Sequence, residues 1–224
     1  MSAQPRDLAD RALPDTLPIF PLAGVLLLPR ARLPLNIFEP RYLAMTRDAM
    51  VGARMIGMVQ PLDPDDDGGL APEVYETGCV GRITEFEETD DGRFLITLAG
   101  LCRFAIADEL PLGDSEYRRI HADYDAYAAD LVAPGKSDVD RERLLSAVEA
   151  YFKIKGFTAD WETIRAASNE SLVTSLAMIC PFAANEKQAL LEAHDTQERA
   201  RVIVALMEMT ALDSSARVAG GSVQ

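Results

Sequence analysis

Histidine, cysteine and lysine are all scarce in this sequence. Of 224 residues, 2 are His, 3 are Cys and 4 are Lys, at positions 136, 153, 155 and 187. His121 and His194 fall in different halves of the chain, and there is no Gly-x-Ser-x-Gly elbow, so no nucleophilic triad is assembled. The absence of His-Glu-x-x-His and Cys-x-x-Cys removes the usual zinc spacings. Cys79, Cys102 and Cys180 are odd in number and far apart. That usage fits reduced, buried thiols in a cytoplasmic protein and not a disulfide framework. Long apolar runs are missing too. The longest uncharged stretch, Thr16 to Pro29, has 14 residues and contains Pro18, Pro21 and Pro29, whereas a spanning helix needs ~20 apolar residues. Met1 to Asp10 carries both charge signs and has no apolar core, unlike a secretory signal.

What is plentiful is negative charge. The chain has 36 acidic against 22 basic residues, a formal net charge of −14. Nucleic acids and anionic membranes both call for clustered Lys and Arg, so neither is expected as a partner. Between Asp63 and Asp91 every charged residue is acidic except Arg82. Within this stretch Asp63-Pro64-Asp65-Asp66-Asp67-Gly68 spaces carboxylates like the first half of a calcium loop. Its twelfth position is Val74 where a bidentate Glu belongs, and the flanks lack helical patterning. The segment reads as a solvated acidic loop, with weak calcium binding outside the EF-hand pattern as the alternative. Asp65, Asp66 and Asp67 then form an acidic rim that repels acidic partners and attracts basic peptides.

Gly135-Lys136-Ser137 has the ending of a phosphate-binding P-loop. That motif also needs a Gly five residues earlier, where this chain has Asp130, whose carboxylate would repel phosphate. A linker Gly and a helix-capping Ser137 are the expectation here.

Periodicity divides the chain in two. Up to about Tyr124 the apolar pattern has period two, with Phe94, Ile96 and Leu98 alternating with Leu95, Thr97 and Ala99. Asp90-Asp91-Gly92 predicts a hairpin turn. Further strands are expected at Leu17–Phe20, Val25–Leu28, Leu33–Phe38, Met55–Gln60 and Tyr117–Tyr124. Pro40 suits the first position of a helix over Pro40–Met50. After Pro134-Gly135 the period becomes helical. One helix puts Leu144, Leu145, Val148, Tyr151 and Phe152 on one face until Gly156, and a short one covers Asp160–Ala167. Another ends before Pro181, and a fourth is capped by Asn185 with Gln188. The last, capped by Asp195 with Glu198, runs to about Leu212. The expected organisation is a β-rich part at 13–133, a helical part at 134–213 and a flexible tail at 214–224.

Several segments together resemble the amino-terminal LON domain of Lon proteases, and more closely the bacterial proteins in which that domain stands alone. They are Leu17-Pro-Ile-Phe-Pro-Leu22, Val25-Leu-Leu-Leu-Pro29, Leu33-Pro-Leu-Asn-Ile-Phe-Glu-Pro-Arg-Tyr42, Ile56-Gly57-Met58-Val59 and Gly78-Cys79-Val80-Gly81-Arg82-Ile83. Asp91-Gly92-Arg93-Phe94, Gly100-Leu101-Cys102-Arg103-Phe104, the stretch Lys187 to Glu192, and Arg199 complete the set. The resemblance covers about Leu13 to Leu212. It implies an α+β fold in which a partly open β-barrel of the PUA-like type precedes a helical bundle. The ATPase and Ser-Lys protease modules of full-length Lon are not expected in a chain of this length.

The resemblance implies a non-catalytic module that binds unfolded or extended polypeptide, as an adaptor or a quality-control accessory working with a protease or chaperone. It implies no cofactor. A small-ligand or calcium-binding barrel is the alternative, and RNA binding, frequent among PUA-like barrels, is disfavoured by the charge. The candidate peptide cleft is Phe38, Glu39, Arg41 and Tyr42, where the proteases usually carry Gly-Arg-Asp/Glu-Lys-Ser. As structure, Glu39 complements a helix start, Arg41 pairs a carboxylate and Tyr42 packs. As function, Arg41 and Tyr42 line the cleft.

Overall fold

The period-two half folds as six strands and one helix. The computed structural model describes residues 13–63, 72–113, 115–133, 135 and 137–220. In chain order these are β1 (Thr16–Pro21), β2 (Arg32–Ile37), α1 (Pro40–Val51), β3 (Met55–Val59), β4 (Thr77–Glu88), β5 (Phe94–Glu109) and β6 (Arg119–Asp123). The sheet order is β2-β5-β4-β3-β1-β6, and β6 also pairs with β5. All neighbours are antiparallel except β1 with β3. Hydrogen bonding therefore runs in a circuit through β5, β4, β3, β1 and β6, while β2 lies outside it as an edge. The sheet is a partly open, irregular barrel. Leu17, Ile19, Val80, Cys102, Phe104 and Ile120 fill it, each with no exposed surface. The Asp-Gly turn forms as expected between β4 and β5, with Gly92 at φ 79°.

Val25–Leu28 is not a strand. Leu26, Leu27 and Leu28 are all buried without alternation, because the segment crosses the sheet where β4 and β5 carry paired glycines, Gly81 and Gly100. Arg30 N–H donates to the Gly100 carbonyl at 2.8 Å, and Gly100 N–H donates to the Ala31 carbonyl at 2.9 Å. A Cβ on Gly100 would stand 2.0 Å from the Leu28 carbonyl oxygen.

Beyond β6 a 3₁₀ segment, Asp125–Leu131, closes against β5. Its anchor is Asp130, which receives Arg103 Nε at 2.8 Å, Nη2 at 2.9 Å and the Arg103 backbone N–H at 3.0 Å. Both side chains are buried, at 6% and 9% exposure. The Tyr127 ring lies 4.8 Å from the Arg103 guanidinium. Burial opposes the charge on Arg103, but the hydrogen bonds and charge of Asp130 outweigh it and raise its pKa. The carboxylate that breaks the P-loop pattern thus holds the barrel wall.

The described residues divide into two compact units between positions 134 and 135. The second contains α2 (Arg141–Lys155), α3 (Trp161–Ala166), α4 (Asn169–Ile179), α5 (Ala184–Glu192) and α6 (Thr196–Gly220). Asp140, not Ser137, caps α2 by accepting from Arg143 N–H at 3.0 Å, and Gly156 at φ 70° ends it. The helix therefore starts beyond Ser137, at Arg141. Asn185 lies inside α5. There the Ala183 N–H donates to Glu186 at 2.7 Å, because Glu at the third position reaches back to the cap. Asp195 caps α6 as expected, at 2.8 Å from Glu198 N–H. Where a tail was expected from 214, α6 continues to Gly220, since no Pro or Gly interrupts 213–219. Cys79, Cys102 and Cys180 are free and buried, and burial pushes the Cys102 thiol up to about 12 and the Cys180 thiol to about 11. No helix among the described residues is long and apolar enough to cross a membrane.

Two outcomes test this account. Gly100→Ala forces a backbone clash that no rotamer relieves, so urea unfolding should show a loss of about 3 kcal/mol or more, while Gly135→Ala, in open space, stays within about 0.5 kcal/mol. Arg103→Leu strands a buried carboxylate and should cost ~3–5 kcal/mol, much of which the double variant Arg103→Leu/Asp130→Leu recovers.

Candidate functional site

The exit of β2 positions the expected cleft residues. Ile37 pairs with Phe94 and is buried, and the alternation of the strand then turns Phe38 outward, 62% exposed. Glu39 occupies the cap position of α1 in an extended conformation, with Pro40 in the first turn. Its carbonyl accepts from Tyr42 N–H at 3.0 Å and Leu43 N–H at 2.9 Å. Its carboxylate does not cap the helix. It receives Arg41 instead, Nε at 3.0 Å and Nη2 at 2.9 Å. The guanidinium carbon lies 4.6 Å from the Tyr42 ring centroid, and that ring lies 4.1 Å from Phe20.

The four residues therefore separate by role. Glu39, Arg41 and Tyr42 form a stack rooted in the barrel by Phe20, with Tyr42 only 5% exposed. Phe38 stands alone at the surface. Burial raises the Tyr42 phenol above its ordinary value, against the opposing pull of Arg41. Tyr42 offers no open face to a ligand, while Phe38 and the Glu39–Arg41 pair do.

Next to this corner lies a groove of about 570 Å³ on the outer face of β2, β5 and β4, lined by Pro34, Asn36, Thr97, Leu95, Glu85 and Glu87. Glu85 forms an ion pair with Arg32 and accepts from Thr97 Oγ1 at 2.7 Å. These hydrogen bonds and the Arg32 charge lower its pKa. Sequence reasoning did not single out these residues. Their signal was present in the period-two pattern, since Leu95 and Thr97 are the partners of the buried Phe94, Ile96 and Leu98. Only the strand register brings Pro34 and Asn36 to the same face. In the helical unit a second cavity of about 400 Å³ between α2 and α6 is lined by Asp140, Arg143, Gln197 and Arg201 among others.

Asp65, Asp66 and Asp67, the expected acidic rim, lie outside the described residues. The flanks of their loop are joined by a β-bridge between Pro61 and Val74, with Leu62 N–H on the Glu73 carbonyl at 2.9 Å. An EF-hand, which needs helices there, is excluded. Among the described residues no group of three His, Cys, Asp or Glu could hold a metal ion. His194 is exposed beside Asp195 and His121 lies within β6.

Comparison with known proteins follows the same outline. The family described as "ATP-dependent protease La (LON) substrate-binding domain" matches residues 16–209. Lon protease 2 of Sorangium cellulosum is 24% identical over 198 residues, covering 86% of this chain and 24% of that one. The Lon protease of Parabacteroides distasonis is 26% identical over 199 residues, covering 83% and 23%. The chain spans about a quarter of the length of these curated relatives. Among solved structures, a Lon N-terminal domain protein from Xanthomonas campestris aligns with a TM-score of 0.60 at 24% identity, covering 85% of this chain and 97% of that one. The N-terminal domain of a Mycobacterium avium complex Lon protease aligns with a TM-score of 0.57 at 16% identity, covering 86% and 98%. These two share the fold.

The buried phenol makes the corner pH-sensitive at its alkaline end. A phenol whose folded pKa lies above its unfolded value contributes stability that is complete below pH ~10 and lost as pH rises through the folded value. Tyr117, Tyr124 and Tyr151 shift in the same direction, chiefly through burial. Urea midpoints should therefore fall above pH ~10, with phenolate absorbance appearing together with unfolding. Tyr42→Phe should make that fall shallower, and an unchanged slope would remove Tyr42 from the set.

Proposed function

The chain belongs to the family of the Lon substrate-binding domain, and on that premise we propose that it recognises extended, apolar polypeptide segments carrying Lys or Arg, without catalysing their cleavage. One observation carries this reading. The match to a substrate-binding domain runs from residue 16 to residue 209, through both units. The local chemistry supports it. Phe38 offers an apolar anchor with most of its surface in solvent. The Glu39–Arg41 pair beside it presents polar groups already oriented by hydrogen bonds. The neighbouring groove is lined by Leu95 and bordered by Glu85 and Glu87, a surface suited to apolar side chains interleaved with cations. The charge of −14 favours the same clients and disfavours nucleic acid. The finer role is that of an adaptor or quality-control accessory that delivers its client to a protease or chaperone.

A peptide array spanning charge and hydropathy tests the reading. Binding should favour apolar segments with Lys or Arg and weaken as salt rises past ~0.1 M, where screening reaches ~10 Å. Phe38→Ala should reduce binding about tenfold while changing stability by no more than about 0.5 kcal/mol, because the side chain is mostly exposed. ATP and casein turnover should stay at the buffer level. Indifference of the array to peptide charge and to Phe38→Ala together would overturn the proposal.

A further inference from the structure

β4 outlives its partner. Its pairing with β3 covers Cys79 to Arg82 only, and Ile83 N–H makes the last hydrogen bond on that side, to the Arg54 carbonyl at 2.8 Å. From Thr84 to Glu88 the strand continues against β5 alone, and every residue of this stretch is exposed. Its outer edge carries no backbone partner among the described residues.

The register says which groups that edge presents. Thr89 N–H bonds to the Arg93 carbonyl at 2.9 Å across the turn, so Thr89 faces β5, and by alternation Glu87 and Glu85 do too. Phe86 and Glu88 then direct their N–H and C=O outward. The irregularity between Ile83 and Glu85 produces this parity, since without it Ile83 and Glu85 would face the same way. The other free edge of the sheet, that of β2, is different. There Leu33, Leu35 and Ile37 face β5, so Arg32, Pro34 and Asn36 face out, and Pro34 has no N–H to offer. β2 is thus guarded in the manner of protected edge strands, whereas the β4 edge keeps its donors.

Side chains on this edge select the occupant. Glu87 and Glu88 have no ion pair or side-chain hydrogen bond among the described residues, and Asp90 and Asp91 follow in the turn. Opposite in parity to Glu87, the Phe86 ring packs 5.0 Å from Phe94 and remains 38% exposed. A second copy pairing by its own β4 edge would set Glu against Glu, which is unfavourable. We propose that the Thr84–Glu88 edge of β4 accepts a basic extended polypeptide segment as an added strand. Residues of the segment opposite Glu87 are Lys or Arg, and those opposite Phe86 are apolar, so it alternates the two. This deepens the polypeptide-recognition reading and rests on it.

The experiment uses the full chain and a fluorescein-labelled peptide alternating Lys and Val over seven residues. Hydrogen exchange should slow at the Phe86 and Glu88 amides when it binds. The same peptide with alternate backbone amides N-methylated should bind about tenfold more weakly, because strand addition needs main-chain hydrogen bonds. Glu87→Gln/Glu88→Gln should weaken the unmodified peptide about tenfold at low salt and little at high salt. Glu88→Pro removes an outward donor and should abolish protection at Phe86. The exchange measurement on the wild type keeps the test decisive if that variant misfolds. Equal affinity for the N-methylated peptide, or protection confined to the β2 edge, overturns the proposal. If the peptide binds but its footprint is at Phe38 and Arg41, the edge assignment falls and the recognition reading stands. If neither it nor the array segments bind, both fall.

Discussion

β5 is a single strand that must serve three neighbours, and the barrel unit depends on how it does so. Over Phe94–Ala99 it pairs with β2 on one side, and over Ala105–Glu109 it pairs with β6 on that same side, while β4 follows it along the other. A flat strand cannot turn from one partner to the next. The β4–β5 register is irregular between Val80 and Gly81, and there Gly100, opposite Gly81, meets the backbone of the buried Leu26–Leu28 segment. The absence of a side chain at that point is what allows the two backbones to approach so closely. Immediately afterwards Arg103 anchors the 3₁₀ segment through Asp130. Closure uses one half of β5, and the other half, between β2 and β4, carries the groove and the free β4 edge.

The helical unit solves a different problem. α3, α4 and α5 are short and end at Ala167, Cys180 and Ala193, the first two in extended conformations and none with a glycine to reverse the chain. Their last carbonyls would be left without donors. A cation from another helix supplies them in each case. Arg141 of α2 donates to the Ile164, Arg165 and Ala167 carbonyls at 3.1, 2.9 and 2.8 Å. Lys187 of α5 reaches the Met178 carbonyl at 3.1 Å, and Arg199 of α6 the Leu190 carbonyl at 2.7 Å. Lys187 and Arg199 are buried, so each offsets its own desolvation by meeting the negative end of a helix. Burial lowers the Lys187 pKa all the same. The bundle is thereby locked by hydrogen bonds as well as by apolar faces.

In a chain this acidic, several of the described basic residues are committed to structure. Arg103, Arg118, Arg141, Lys187 and Arg199 each hold a carboxylate or a carbonyl inside their own unit. On the β4–β5 hairpin, Glu87 and Glu88 are exposed and have no ion pair among the described residues. On the proposed reading, that exposed negative charge is what a cationic segment would meet.

Local rules decided much of this from the sequence alone. Alternation at Phe94–Leu98, the Asp-Gly turn, Pro40 at a helix start and Asp195 before α6 each act within a few residues, and the structure has them where the pattern puts them. The family outline was also legible, because its segments recur in order along nearly the whole chain. Other features needed partners distant in sequence. Val25–Leu28 has strand composition, but lies across Gly81 and Gly100. Asp130 reads as a broken phosphate loop until Arg103 is seen beside it. Tyr42 could line a cleft or fill a core, and Phe20 decides for the core. The outward parity of Phe86 and Glu88 depends on one irregular residue in the β4–β5 register. Propensity and turn chemistry are short-range and can be read along the chain. Burial, register and ion pairing are properties of two segments at once, so only the tertiary structure could assign them.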